Sequence, residues 1–468
     1  MAAAFLVCVS AASAQSITNP IAALKNHITG AVPLTAAQIK TEGDLIQSSI
    51  SQVGTNFVAL SSALDLVATY DGSANKPLFT SGSATDGGFT RDGAGDELAQ
   101  ALFDLQQGII DKTYQNNSAN LTTYYSLLNN TKFGTCFYFP GYVAPPANTN
   151  QGYEVQINAT HAEEWGMTNL YVTDQARRPT GCYLAPGSIA EVTVPAAYAN
   201  KGWFIRVGCH YWDFSAKTTL KRLDRVSVIY QITSTKTRIA NPLGGNIYIS
   251  IPYKQTNGIV TVGITNVVRS PLFRNTVVHQ TTPAEWLTER TNPGKWADFE
   301  SEKFMMQVPR SWIYNYTNAN TVMADWDKAM DAVSDMLGRP RVQSKTVLYI
   351  QPDVLIRGTA NAPGYPQVNQ DEIYNPDLSE SGNKDHYLLT GPQNAKWTTF
   401  HEMGHGQYFS KFTGETESAV NLLHVAEKCQ AFGWTLNNAF SESVADWSGM
   451  TLNQAALSWI LMDNFRAN

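Results

Sequence analysis

Charge is scarce in this chain of 468 residues: only 15% are Asp, Glu, Lys or Arg, and the formal net charge is -6. Phosphate backbones are held by clustered Lys and Arg, so this balance argues against nucleic acid as a partner. No apolar run approaches the roughly 20 residues needed to cross a bilayer, so no transmembrane segment is expected and the mature chain reads as soluble. No internal repeat is apparent, which excludes a solenoid or propeller. Cysteine is rare as well, five residues in all, and histidine numbers only eight. With 43% hydrophobic residues, the length suffices for two or three domains that each bury a core.

The N-terminus, MAAAFLVCVSAASAQ, has a short apolar core and small residues at Ala12 and Ala14. It lacks basic residues ahead of that core, yet the pattern fits a secretory signal over residues 1–14. Five N-x-[ST] sequons, at Asn116, Asn120, Asn129, Asn158 and Asn315, are compatible with secretion. The chain is therefore expected to be secreted or extracellular. Removing the signal removes Cys8. Cys136, Cys182, Cys209 and Cys429 remain, too widely spaced for a zinc knuckle; they permit two disulfides or four free thiols.

The texture of the chain changes twice, giving a multidomain α+β organisation. Residues 15–132 read as helical, with Leu98, Leu102, Leu105 and Ile109 at helical spacing and a Gly/Ser/Asp-rich loop over Asp71–Gly95. The role of this helical N-terminal region is not legible. Residues 133–270 contain short alternating segments separated by turns, Tyr153–Ile157, Glu191–Val194, Trp203–Val207, Val226–Ile229, Ile247–Ile251 and Val260–Val262, the signature of a β-sandwich subdomain. Residues 271–468 are mixed α/β, with a helical pattern over Trp326–Leu337 and a strand over Thr346–Ile350.

That last region contains His401-Glu402-Met403-Gly404-His405. On a helix, His401 and His405 lie one turn apart on one face, so both imidazoles can reach one cation. Glu402 points about 100° away, which suits a base beside the reacting water and not a third ligand. Trp397, Phe400 and Met403 recur at helical spacing and are expected to bury one face, giving the site a rigid support. Gly404 and Gly406 cost about 1 kcal/mol each relative to alanine in a helix, so something is expected to approach that backbone closely. A metzincin would need glycine at 408 and histidine at 411, where this chain has Tyr408 and Lys411. Glu417 instead opens a second helical pattern, Glu417–Glu427, after the turn-like Thr413–Thr416, and a connection this short returns the second helix beside the first. Glu417 and Asn421 then lie one turn apart, a metal ligand and a side chain able to orient a ligand. Glu415 competes with Glu417 but sits in the loop.

The motif with Glu417-Ser418-Ala419-Val420-Asn421 resembles the M60-like, enhancin-like gluzincin metallopeptidases. So do Arg178-Pro179-Thr180-Gly181, Ala185-Pro186-Gly187, Arg206–His210, Asn241–Tyr248 and Gly364-Tyr365-Pro366, in that family's order and over roughly residues 150–460. The resemblance implies a sandwich on a zincin domain, Zn2+ held by His401, His405 and Glu417, Glu402 as catalytic acid and base, and hydrolysis of peptide bonds in mucin-like, O-glycosylated proteins. This chain has Gly406 where the family usually has asparagine, a departure that bears on substrate contact and leaves the ligands intact. Further helix is implied beyond Phe465, so the chain is expected to stop short of the module's end. Tyr365, His386 and His424 are candidates for a second oxyanion donor, each with structural hydrogen bonding as the plainer reading.

Three readings of other kinds compete. A glycan-binding surface protein with a vestigial zinc site could stack sugars on Trp203, Tyr211 and Trp212, although aromatics of a sandwich are more often core. A zinc endopeptidase without glycan dependence would keep the same site. An aminopeptidase would share the ligands but carry a G-x-M-E-N-type segment, which is absent. Oligomeric state is not legible.

Overall fold

The architecture follows from where apolar stripes and strand alternation place their buried faces. The computed structural model describes residues 16–74, 77–80, 88–162, 175–210, 212–338, 341, 348–355, 367–369, 386–407, 420–442 and 449–461; residues 1–14, expected as a signal, and Tyr211 and Tyr365 lie outside them. The described chain is a mixed α/β structure with several sheets.

The first layer is helical: Thr18–Ile28, Ala36–Ser49, Phe57–Asp71 and Glu97–Ile109 are followed by two short helices, Ser118–Thr123 and Tyr125–Leu128. Thr35 and Gln38 form a reciprocal capping box on the second helix, and Asn56 caps the third through the amides of Val58 and Ala59, satisfying donors that a helix N-terminus leaves open. Leu102, Leu105 and Ile109 are buried and Leu98 is half-buried. This layer shares one apolar core with the β-sandwich. Asn116 ties the two together, donating its amide to Ile229 and accepting from the Gln231 amide with its side chain, which covers an edge strand that would otherwise be open to pairing. Asn120 is buried and donates to the carbonyls of Gly54 and Thr113, so this sequon is a structural residue in the folded chain.

Two antiparallel sheets form the sandwich. One runs Gly152–His161, Gln255–Thr265, Ile189–Thr193, Lys236–Ala240; the other runs Val268–Arg269, Ala176–Leu184, Gly245–Ile251, Phe204–Val207, Val228–Gln231. Strands Ala176–Leu184 and Gly245–Ile251 are buried along their whole length, because the C-terminal region covers the face that an ordinary sandwich leaves wet. Trp203 is fully buried and stacks on Tyr198 at 4.5 Å, so it is core.

The C-terminal region carries a mixed sheet in the order Leu272–Asn275, Trp296–Ser301, Phe304–Pro309, Leu348–Pro352, Gln367–Asn369, with one antiparallel pair among parallel ones. Against it lies the helix Ala319–Met336, whose buried Val322, Met323, Trp326, Ala329, Met330 and Val333 recur at helical spacing. Trp326 stacks on Phe304 of the sheet at 4.0 Å, and on its other side it approaches Phe400 at 6.1 Å.

Buried polar groups join the sandwich to this mixed sheet. Arg222 and Asp353, 1% and 0% exposed, form an ion pair at 2.8 Å. His210 Nε2 donates to the Pro352 carbonyl at 2.9 Å while its Nδ1 accepts from the Cys209 thiol at 2.8 Å; burial lowers its pKa to about 4, in keeping with a neutral ring. Asp298 accepts from Asn246, Tyr248 and Gln307. Glu300 pairs with Arg274 at 3.1 Å and lies 4.0 Å from Arg178. All four of Cys136, Cys182, Cys209 and Cys429 are free thiols.

Removing one partner of a fully buried ion pair leaves an uncompensated charge, whereas a half-exposed pair is screened. Arg222→Ala should therefore lower the unfolding free energy by about 3–5 kcal/mol, and Arg225→Ala, which breaks the half-exposed contacts to Asp111 and Asp213, by about 1 kcal/mol or less; urea titration of both variants measures the contrast. Burial pushes Asp298 up to about 7 against the lowering effect of its hydrogen bonds. The native state thus keeps a proton that the unfolded carboxyl releases near pH 4. Its stabilising contribution is complete below that value and is lost as pH rises through 7. Asp298→Asn should gain on the wild type in melting temperature across that window, read by calorimetry from pH 4 to 8.

Candidate metal centre

His401, Glu402 and the backbone of His405 sit on the helix Trp397–Gln407. Phe400 and Met403, 0% and 2% exposed, anchor it in the core that holds Trp326, Met330 and Leu423. Trp397 does not join that buried face. It is half-buried, and its ring meets His401 edge to face at 5.2 Å, so it walls the histidine on the N-terminal side.

The helix Asn421–Ala426 returns beside the first. A β-carbon placed on Gly404 would lie 2.8 Å from both Val420 Cβ and Leu423 Cδ1, closer than carbon atoms tolerate. The glycine that weakens the first helix is thus what lets the second one touch it. At this spacing the Asn421 side-chain oxygen lies 2.8 Å from His401 Nδ1. An amide oxygen only accepts, so Nδ1 carries the proton and Nε2 is left with its lone pair, the form in which imidazole ligates a metal. Both His401 and Glu402 are half-buried, which leaves them reachable from solvent on a rigid support. The donor chemistry on this helix therefore fits a divalent cation such as zinc.

Glu415, Glu417 and Gly406's surroundings lie outside the described residues, as does the side chain of His405. Among the described residues no group of three His, Cys, Asp or Glu side chains could hold a metal, because two of the three expected ligands are not among them. Of the oxyanion candidates, His386 caps the short helix Tyr387–Thr390 by accepting from the Leu388 amide. Burial lowers its pKa to about 3, and Trp312 and Tyr387 enclose its ring. His424 is 1% exposed and donates Nε2 to Glu442.

Three further charged groups were not legible as part of the site. Lys428, 1% exposed, donates to the carbonyls of Gln393 and Ala395 just ahead of the first helix. Glu442 lies 4.0 Å from its ammonium. Glu427 is fully buried with no hydrogen-bond partner for either oxygen among the described residues, and burial pushes its carboxyl up. Their only sequence signal is position near the motif, since the contacts that matter are tertiary.

With this geometry in place the class can be stated. Residues 146–265 match the N-terminal domain of M60-like peptidases, and residues 266–456 match the peptidase M60, enhancin and enhancin-like domain. These are consecutive modules of a metallopeptidase, and the chain belongs to the M60-like, enhancin-like family. Among curated relatives, a TRPM8 channel-associated factor homolog of Danio rerio is 26% identical over 310 residues, covering 63% of this chain and 30% of that protein. TRPM8 channel-associated factor 2 of Homo sapiens is 26% identical over 252 residues, covering 53% and 26%. The chain thus spans under a third of the length of these relatives. Among solved structures, IMPa from Pseudomonas aeruginosa in complex with an O-glycopeptide aligns with a TM-score of 0.48 and 12% identity, covering 86% of this chain and 45% of that one. ZmpB metallopeptidase from Clostridium perfringens aligns at 0.45 and 15%, covering 66% and 67%.

Gly404→Ala should lower stability by about 1–3 kcal/mol, as overpacking does, although alanine is the better helix former. The same variant should bind zinc more weakly, because the shifted helix draws Asn421 from His401. Chemical denaturation and a chelator competition measure the two effects; a more stable variant with unchanged affinity would contradict the close-contact account.

Proposed function

We propose that this protein is a secreted zinc-dependent endopeptidase that cleaves mucin-like, O-glycosylated proteins. The observation that carries the reading is the bond from His401 Nδ1 to Asn421, inside a module of an M60 peptidase. It prepares one histidine as a ligand and leaves the adjacent Glu402 free of that duty. His401 through Nε2, His405 and Glu417 would hold the metal. When bound, zinc supplies positive charge that acidifies a water and polarises the scissile carbonyl.

The chain's own residues do the rest. Glu402, one residue on from His401 and half-buried, takes the proton of the attacking water and returns it to the leaving amine. Trp397 and Asn421 hold the His401 ring from two directions, so the ligand stays fixed while charge moves past it. The family, together with a chain poor in charge and rich in Tyr, Trp, Asn and Thr, supports neutral glycans beside the cleaved bond, bound by stacking and hydroxyl hydrogen bonds.

The names of the curated relatives raise a second reading, a partner protein of a channel. The retained Glu402 favours the enzyme, since a chain kept only for association has no use for a base beside two metal-ligating histidines. Glu402→Gln should keep one zinc per chain and lose turnover; metal analysis that finds the variant empty, or assays that find it fully active, would reject the role. Glu417→Ala should lose zinc and Glu415→Ala should retain it. Digestion of a mucin-type glycoprotein and its deglycosylated form, with mass-spectrometric mapping of new termini, tests the substrate class. Cleavage beside glycosylated Ser or Thr is expected, and equal turnover of the bare protein would leave a general endopeptidase.

A further inference from the structure

The returning helix is held from its far side as well as at Asn421. Along Asn421–Ala426 and the π-turn Glu427–Ala431 that follows, three side chains reach three different parts of the centre. Asn421 meets His401. His424, one turn on, passes Phe400 at 6.1 Å and bonds to Glu442. Lys428 bonds to the carbonyls of Gln393 and Ala395 at the entry to the first helix. Among the described residues Glu442 contacts both of the latter, with one oxygen on His424 Nε2 and the other 4.0 Å from Lys428 Nζ.

We infer that Glu442 is a positioning residue for the metal centre: by holding His424 and Lys428 together it fixes the rotation of the returning helix and hence the reach of Asn421 to His401. This deepens the proposed function and rests on zinc binding at His401.

The charge pattern supports it. Burial drives the His424 ring toward its neutral form, which leaves Nε2 as a plain N–H donor. The neighbouring Glu427 is raised by burial and stays protonated near neutral pH. Burial also raises Glu442, but the His424 bond and Lys428 outweigh it and hold the carboxyl below its ordinary value. The buried ammonium of Lys428 thus has Glu442 as its anionic neighbour. A buried cation with a fixed anion on one side and two carbonyls on the other can adopt few positions, and so can the helix that carries it. Glu442 enters from outside the helix pair, directly after the helix Leu436–Phe440, so it is a strut from a separate element.

The test uses the full chain and zinc alone, with affinity read by chelator competition. Glu442→Ala should bind zinc about tenfold or more weakly, within the range of substitutions that act on a ligand's support. Glu442→Gln should recover most of that affinity, since its amide oxygen still accepts from His424. Because Glu442 is argued to act through Asn421, the pair Asn421→Ala, Glu442→Ala should bind no more weakly than Asn421→Ala by itself. Unchanged affinity in Glu442→Ala overturns the inference. So does an equal loss in the alanine and glutamine variants with full additivity in the pair, which would mark a general loss of folding. A wild-type chain that binds no zinc would overturn the proposed function as well, which separates the two failures.

Discussion

The van der Waals contact at Gly404 is the constraint on which the site depends. Two helices with side chains at their crossing stand about 8–10 Å apart; at this crossing one side chain is missing, and Val420 and Leu423 fill its place. The glycine weakens the helix that bears the histidines, and that helix is short. Its rigidity has to come from outside. Phe400 and Met403 fasten it to the core beneath, and Lys428 fastens the carbonyls that precede it. Once the helices touch, Asn421 is close enough to fix the tautomer of His401, a condition that the histidine cannot impose on itself.

The sheet beneath needs an equally firm base, and the sandwich supplies it. Arg206–His210 and Asn241–Tyr248, the segments that resemble the family far from the motif, are where the buried joint is built. His210 reaches Pro352, and Asn246 and Tyr248 reach Asp298. Asn241 closes its own corner by donating to the Val226 carbonyl. Each of these segments holds polar atoms that have no water to turn to, so a change at one leaves an unpaired group at its partner. Their role is mechanical. They carry the sheet on which the Ala319–Met336 helix, and through it the metal helix, is laid.

What could be read beforehand divides along physical lines. Periodicity is local, so the helical stretch Trp326–Leu337 overlaps the observed Ala319–Met336 and overruns it by one residue, and the alternating segments of the sandwich lie in strands such as Gln255–Thr265. Ala176–Leu184 was not legible as a strand. It is buried on both faces, contains Pro179, and has a register shift between Pro179 and Tyr183, so it shows no alternation. Within the site, the pairing of Asn421 with Glu417 at one helical turn is a sequence signal, and so is an unexpected glycine. Glu442 gave none, because fourteen or more residues separate it from the groups it holds and nothing local marks a carboxylate as a strut. The half-burial of Trp397 shows the same limit: spacing assigns it to the Phe400–Met403 face, while its bulk and the nearness of His401 place its ring on the metal side.

The scarcity of charge and the structure of the joint bear on one another. Arg178, Arg222, Arg274, Asp298, Glu300, Asp353, Glu427 and Lys428 are all buried, and they come from a chain in which charged residues are few to begin with. These side chains add nothing to the charge of the surface. A charged substrate would find little to steer or hold it, since long-range attraction needs exposed charge of one sign. A neutral polyhydroxylated one meets amides, hydroxyls and aromatic edges whose hydrogen bonds are not screened by salt. Charge that locks the C-terminal sheet to the sandwich is thus withdrawn from the surface, in keeping with the neutral glycosylated substrate proposed for the metal centre.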